Sequence, residues 1–282
     1  MDSSILLACV FLVLCILLAC MCILKNNTVI GGSALNIKRR DPLLQAELYV
    51  IGSSSIRPFY YRCTSPKSGG IVMTGKSISG LFKTEDSDRK LLFDSLKQVK
   101  PKNILMTFGE VDLYYLYPFR VWSSLDQKNS SSGLLEDPLQ FAINVAEKYL
   151  KLLQDIYICH PANIYILLPN YSPLDDKLLH QSLINHLKYF TAANYCKDLL
   201  YGNVMNSILS RNVRNQMNDI FNSRVKDGLK HKKHFHAIDL NPYVSSNGII
   251  LSKYRMHSPL DHHLAVVPVL NLVKELLPHL TC

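Results

Sequence analysis

The chain has 282 residues, 48% of them hydrophobic, with 31 Lys and Arg against 22 Asp and Glu and a formal net charge of +9. That length supports one sizeable core and falls short of two full domains. The basic balance suits anionic headgroups or acidic polymers as neighbours, yet its densest run, Lys230-His231-Lys232-Lys233-His234, reads as a solvated loop, and no motif supports nucleic-acid binding.

Ile5 to Leu24 contains no charge, Pro or Gly, and about 20 residues at ~1.5 Å each match a hydrocarbon core of roughly 30 Å. A single-pass transmembrane helix is predicted. It is expected to be retained, because no basic stretch precedes it as in a cleaved signal peptide; Leu17-Leu18-Ala19-Cys20 is only a faint lipoprotein signal. The predicted organisation is a signal-anchor over residues 1–25, a linker over 26–44 containing Gly31-Gly32-Ser33, and one domain over 45–282.

The side of the membrane stays open. Asp2 precedes the helix and Lys25, Lys38, Arg39 and Arg40 follow it, which favours a cytoplasmic domain. Asn26-Asn27-Thr28, Asn129-Ser130-Ser131 and Asn170-Tyr171-Ser172 fit the glycosylation acceptor pattern, which has meaning only on the lumenal side. Cys9, Cys15, Cys20 and Cys22 fall in the apolar helix; Cys63, Cys159, Cys196 and Cys282 fall in the domain without zinc-like spacing. Two disulfides would suit a lumenal domain, and four thiols a cytoplasmic one.

Leu48 to Ile51 is an apolar strand that runs into Gly52 and three serines. Gly70 to Gly75 holds a second apolar run, Thr84 to Val99 a surface helix, and Asn103 to Phe108 a third strand ended by Gly109-Glu110-Val111-Asp112. Asp137 as cap and Pro138 as first helical residue open a helix to about Tyr157. Ile164 to Leu168 is a fourth strand, stopped by Pro169. Asp175 to Leu229 is helical in composition with a break near Tyr201-Gly202, Phe235 to Leu240 is a strand, Asn247-Gly248 a turn, and Ala265 to about Leu277 the last helix. Strands alternating with helices predict a three-layer αβα sandwich on a parallel, flavodoxin-like sheet.

Three polar clusters then fall at strand ends or before the last helix: Gly52 to Ser55, Gly109 to Asp112, and His257 to Leu264. Ligands bind at the carboxyl edge of such sheets, and a nucleophilic serine needs a base and an acid that orients the base. Ser54, His263 and Asp261 could supply all three. A metal enzyme using His257, His262 and His263 lacks the spacing of a typical site, and no cofactor is expected. Tyr114, Tyr115, Tyr117, Phe119 and Trp122 crowd the loop after the third strand, either as a platform for a sugar ring or as packing under a long loop. Arg120 among them could meet a substrate anion or make a surface salt bridge.

On these residues the chain resembles the SGNH, or GDSL-like, hydrolases. Ile51-Gly52-Ser53-Ser54 is similar to their first motif, and Phe108-Gly109-Glu110-Val111-Asp112 to the third motif of a subgroup associated with polysaccharides; the likeness runs from about Glu47 to Val273. It implies Ser54 as nucleophile, His263 as general base, Asp261 as its orienting acid, and the Ser54 and Gly75 amides as the oxyanion hole. It also implies acyl-ester hydrolysis or acyl transfer on a glycan or other acylated substrate, with Gly109, Asp112, Tyr115 and Arg120 as further candidate oxyanion or binding residues. The chain departs from the pattern at Ser53, where the family has Asp, at Val111, where it has a donor Asn, and in the Asp261-to-His263 spacing, which is one residue shorter. His262 and His257 are alternative bases. A non-catalytic module of the same fold, binding glycan or a protein partner, is the competing reading.

Overall fold

The structure is a computed structural model that describes residues 29–30, 37–83, 86–126, 136–187 and 209–280. The predicted transmembrane segment, residues 5–24, lies outside them, and no helix among the described residues is long and apolar enough to cross a membrane.

The strands are β1 (Val29–Ile30), β2 (Ile37–Arg40), β3 (Leu48–Gly52), β4 (Ser68–Met73), β5 (Asn103–Thr107), β6 (Asn163–Leu167) and β7 (Phe235–Ile238), with a separate hairpin of β8 (Ser245–Ser246) and β9 (Ile249–Ile250). The helices are α1 (Arg57–Arg62), α2 (Ile78–Leu81), α3 (Ser87–Val99), α4 (Tyr117–Asp126), α5 (Pro138–Cys159), α6 (Asp176–Leu187), α7 (Arg211–Leu229), α8 (Asn241–Val244) and α9 (Val266–Leu276). One sheet runs in the order β1-β2-β4-β3-β5-β6-β7. Its five strands from β4 to β7 are parallel, with Val50 opposite Gly70 on one side and Leu105 on the other. Among these five the order is second, first, third, fourth, fifth, so the topological switch point falls between β3 and β5.

β3 shows why the sheet is central. Tyr49 and Ile51 enter the larger core with Leu92, Leu96, Tyr149 and Phe221, whereas Leu48 and Val50 enter the smaller one with Phe59, Leu270 and Val273. Alternate side chains therefore meet helices on opposite faces, and both faces of the strand are apolar. Asp137 caps α5 through a 2.8 Å bond from the Gln140 amide, with Pro138 in the first turn. Asn247 and Gly248 take positive φ, 49° and 71°, at the tip of the β8–β9 hairpin, the geometry of a tight two-residue turn.

Three sequence expectations are corrected. Part of the predicted linker belongs to the sheet: Ile37 to Arg40 pairs antiparallel with β4, from Ile37–Met73 to Arg40–Gly70. Only Ile37 of the four is buried, so backbone pairing makes this strand and no alternation announces it. The loop expected after the third strand is a π-helical turn, Asp112–Leu116, running into α4. Finally, Cys63 is disulfide-bonded and Cys159 is a free thiol, so the domain cysteines are neither all paired nor all reduced. The break expected near Tyr201-Gly202 lies outside the described residues.

Candidate active site at the carboxyl edge of the sheet

The position of Ser54 follows from close packing of β3 on β5. A Cβ at Gly52 would sit 2.4 Å from the Thr107 carbonyl oxygen, so only glycine lets the two strands approach there. Ser53 N–H donates to that same carbonyl at 3.1 Å. The chain then enters a 3₁₀ turn, Ser54–Ile56, that leads directly into α1. Being first in a helical run, the Ser54 amide has no acceptor within it. Ser54 is 6% exposed, and with Ser55 it lines a cavity of about 290 Å³.

The opposite wall is the loop before α9. The Ala265 amide donates to the Tyr254 carbonyl at 2.8 Å and Asp261 N–H to the Ser258 carbonyl at 3.1 Å. Asp261 Oδ1 accepts from both the His263 backbone amide, 2.9 Å, and His263 Nδ1, 2.6 Å. Burial acts to raise the Asp261 pKa but is outweighed by these bonds and by the charge of the His263 and His262 rings, which hold it down to about 2. With Nδ1 committed, His263 Nε2 is buried without a hydrogen-bond partner. Asp261 and His263 line the same cavity as Ser54.

Of the alternative bases, His257 is exposed and His262 packs its ring 4.9 Å from Tyr115 and 3.8 Å from His263; neither lines the cavity. His257, His262 and His263, the trio whose spacing did not suggest a metal site, are not grouped as potential ligands among the described residues. Asp261, His262 and His263 bring ligand atoms within 4.8 Å of one another, but the Asp261–His263 hydrogen bond already uses two of the available donors and acceptors.

The third wall comes from the end of β5 and the end of β6. Gly109 has φ +111°, and a Cβ there would meet Pro169 at 2.8 Å and Phe221 at 3.0 Å. Glu110, next in the chain, accepts a hydrogen bond from the Ser55 hydroxyl. Burial pushes its carboxyl pKa up, opposed by the charge of His263 and by hydrogen bonds from the Asn170 backbone and side chain. Asn170 is itself fixed: its carbonyl accepts from Tyr114 Oη at 2.5 Å and Asn218 Nδ2 at 3.2 Å. Asn218 in turn accepts from Asn241 and Asn222, so buried amides clamp the 169–171 segment.

The structure therefore gathers Ser54, Asp261 and His263 and leaves the other expected residues off the lining. Asp112 is fully buried and accepts the Ile78 and Ser79 amides at 2.7 and 3.0 Å, anchoring the start of α2. Burial, partly offset by those amides, raises its pKa to about 6. Gly75 (φ 74°) shapes the turn after β4, and Gly109 packs under Pro169. Tyr115 is buried behind His262, and Arg120 pairs with Glu136 on the surface at 2.9 Å. Tyr114, Tyr115 and Tyr117 are 4%, 5% and 1% exposed, so these three are core rather than a platform for a sugar.

Ser55 and Glu110, which fell inside the flagged clusters without a role of their own, line the cavity too, as do Asn170 and Arg57, to which no site role was given. Asn170 had a signal, a polar residue directly after the Pro169 that stops a parallel strand, but the glycosylation triplet masked it. With its side chain engaged by Glu110, Asn170 is poorly placed to carry a sugar.

No protein-family model matches the chain, and no curated protein matches it. Solved structures similar to it include a protein assigned as an acylhydrolase from Bacteroides fragilis (8% identity, TM-score 0.48, 85% of this chain and 88% of that one). Two others are an extracellular lipase from Streptomyces rimosus (13%, 0.42, 80% and 99%) and the periplasmic domain of a lipopolysaccharide acetyltransferase from Salmonella ser. Paratyphi A (12%, 0.44, 84% and 84%). At these identities and scores the similarity is one of chain course.

Proposed function

We propose that the chain is an SGNH-type serine esterase or O-acyl transferase, with Ser54 as nucleophile, His263 as general base and Asp261 as the acid that orients it. The observation that carries this reading is the unpartnered His263 Nε2, buried in the wall of the cavity that Ser54 also lines, on a ring whose Nδ1 is held by Asp261. In that tautomer Nε2 accepts the Ser54 proton as the hydroxyl oxygen attacks an acyl carbon, and returns it to the departing alkoxide. Asp261, charged across the ordinary pH range, stabilises the imidazolium in between.

The oxyanion hole is the part that needs a new source, because Val111 is apolar and off the cavity. The free Ser54 amide at the head of the 3₁₀ turn is one donor. Asn170, whose side chain lies beside the same space, is the second. The cavity volume, close to the lower end of ordinary ligand sites, suits an acetyl group with part of a sugar ring, and a glycan acetyl ester is the favoured substrate.

A membrane anchor over residues 5–24 remains part of this proposal on sequence grounds. The Cys63 disulfide favours an oxidising, lumenal or extracellular compartment. The test is labelling of the full chain by a fluorophosphonate probe. Labelling of wild type that is lost in Ser54→Ala and His263→Ala is the expected result. A folded wild type that takes up no label overturns the enzyme and leaves a binding module, the reading that Val111 favours.

A further inference from the structure

The wall of the cavity nearest the nucleophile is cationic. Arg57 follows Ser54 by three residues, at the start of α1, and is half-buried in the lining. It donates to the Thr74 hydroxyl at 2.8 Å and pairs with no carboxylate among the described residues. A guanidinium has five N–H donors in a fixed fork, so most of that capacity faces a neutral oxygen or the cavity. By contrast Arg39, Arg89, Arg120 and Arg214 each hold an acid within 3 Å.

One more cation lines the cavity, and another stands behind a lining tyrosine. Arg62, exposed at the other end of α1, lines the rim, as does Tyr61, and the Tyr61 hydroxyl receives the Lys38 ammonium at 2.8 Å. The two carboxylates that line the same cavity are already engaged. Asp261 is bound to His263, and Glu110 receives Ser55 and Asn170. A guanidinium that lines the cavity with Ser54 and meets only a neutral hydroxyl has donors left for a ligand, and a planar bidentate anion is what its fork fits.

We infer that the cavity recognises an ester whose acyl-accepting part carries an anionic group, a carboxylate or phosphate held by Arg57 with Arg62 at the rim. The inference rests on the esterase reading for its chemistry but not for its geometry. Anchored there, an anion lies one helical turn from Ser54, so the ester of the same molecule reaches the nucleophile while the apolar wall of Phe59, Leu240, Val266 and Val269 takes the acyl chain. Arg57 would then be a specificity residue: it acts on the substrate and leaves the proton transfer to His263.

Two measurements on the full chain separate this from the parent proposal. The first compares kcat/KM for acetyl release from 4-acetoxybenzoate and from its methyl ester, with each rate divided by that of uncatalysed hydrolysis to correct for the different leaving groups. Wild type is expected to favour the carboxylate, and Arg57→Gln to reduce that ratio about tenfold, the scale of one lost charge-assisted contact; a phosphate-bearing acetyl ester run alongside shows which anion is preferred. Equal rates on both esters in wild type, or an unchanged ratio in Arg57→Gln, overturns the inference even though esterase activity is present. The second needs no turnover: binding of 4-acetamidobenzoate and its methyl ester to Ser54→Ala by calorimetry. Tighter binding of the anion, lost in Ser54→Ala with Arg57→Gln, supports the site even if the chain hydrolyses neither ester; equal affinity, or no binding of either, overturns it.

Discussion

Asp261 and His263, two residues apart in one loop, are joined twice: the carboxylate oxygen Oδ1 takes the ring Nδ1 at 2.6 Å and the backbone amide at 2.9 Å. The shorter spacing thus produces a self-contained pair, in which the amide bond fixes the carboxylate and the carboxylate fixes the ring. Substituting Asp261→Asn removes the preference for the Nδ1–H tautomer. It is expected to lower kcat by about 10²–10⁴, read by steady-state ester hydrolysis, with KM little changed.

The same pair has a pH signature. A carboxyl held down to about 2 when folded, against 3.8 otherwise, contributes stability that is fully present above 3.8 and lost as pH falls through about 2. The stability gap between wild type and Asp261→Asn should therefore be constant from pH 5 to 8 and close only below about pH 4, as followed by thermal unfolding across that series.

Asp112 gives the opposite sign. Its pKa is raised to about 6 in the folded chain, so its contribution is fully present below 3.8 and is lost as pH rises through 6. Relative to Asp112→Asn, which keeps an oxygen for one of the Ile78 and Ser79 amides, wild type should lose roughly 3 kcal/mol between pH 4 and 7. Urea unfolding midpoints at the two pH values check this, and a flat difference would show that burial does not raise the folded pKa of Asp112 above its ordinary value.

Asn170→Ala removes the side chain proposed to share the developing negative charge with the Ser54 amide. A fall of about 10²–10³ in kcat is expected, with fluorophosphonate labelling slowed rather than abolished because Ser54 and His263 remain. Intact mass after expression in a glycosylating host provides an independent check, since a glycan on Asn170 is incompatible with its place in the cavity wall.

Gly52→Ala probes the strand packing under Ser54, the proposed nucleophile. The added methyl would stand 2.4 Å from a backbone oxygen that has no room to move within the sheet, and an overpacked core position costs ~3 kcal/mol. The unfolding midpoint should drop accordingly. Activity should fall further than the residual folded fraction, because the 3₁₀ turn carrying Ser54 shifts with Gly52.

The parallel sheet was legible because most of its strands carry an apolar run with a turn signal at its end, as at Leu48 to Gly52. β2 was not, because Ile-Lys-Arg-Arg contains one apolar residue and owes its place to backbone hydrogen bonds with β4. Ser54, Asp261 and His263, the trio proposed as catalytic, stood out in the sequence through residue type and order along the chain, and the fold brings them to one cavity. Asn170 and Arg57 escaped because their roles depend on what the fold brings across from other strands, β5 for one and β4 for the other, and no local spacing encodes that. Tyr115 and Asp112 drew attention for their chemistry, but the fold uses them for packing and for holding α2.

Ser54 belongs to the first fifth of the chain and His263 to its last tenth. At roughly 5–20 residues per second of synthesis, a nascent polypeptide would carry its serine for ~10–40 s before the matching imidazole has been made. The hydroxyl has no activating partner during that interval, and a prematurely terminated product never acquires one. On the proposed mechanism acyl chemistry would be switched on only by completion of the carboxyl-terminal loop, and catalytic competence would double as a readout that translation and long-range folding have both finished.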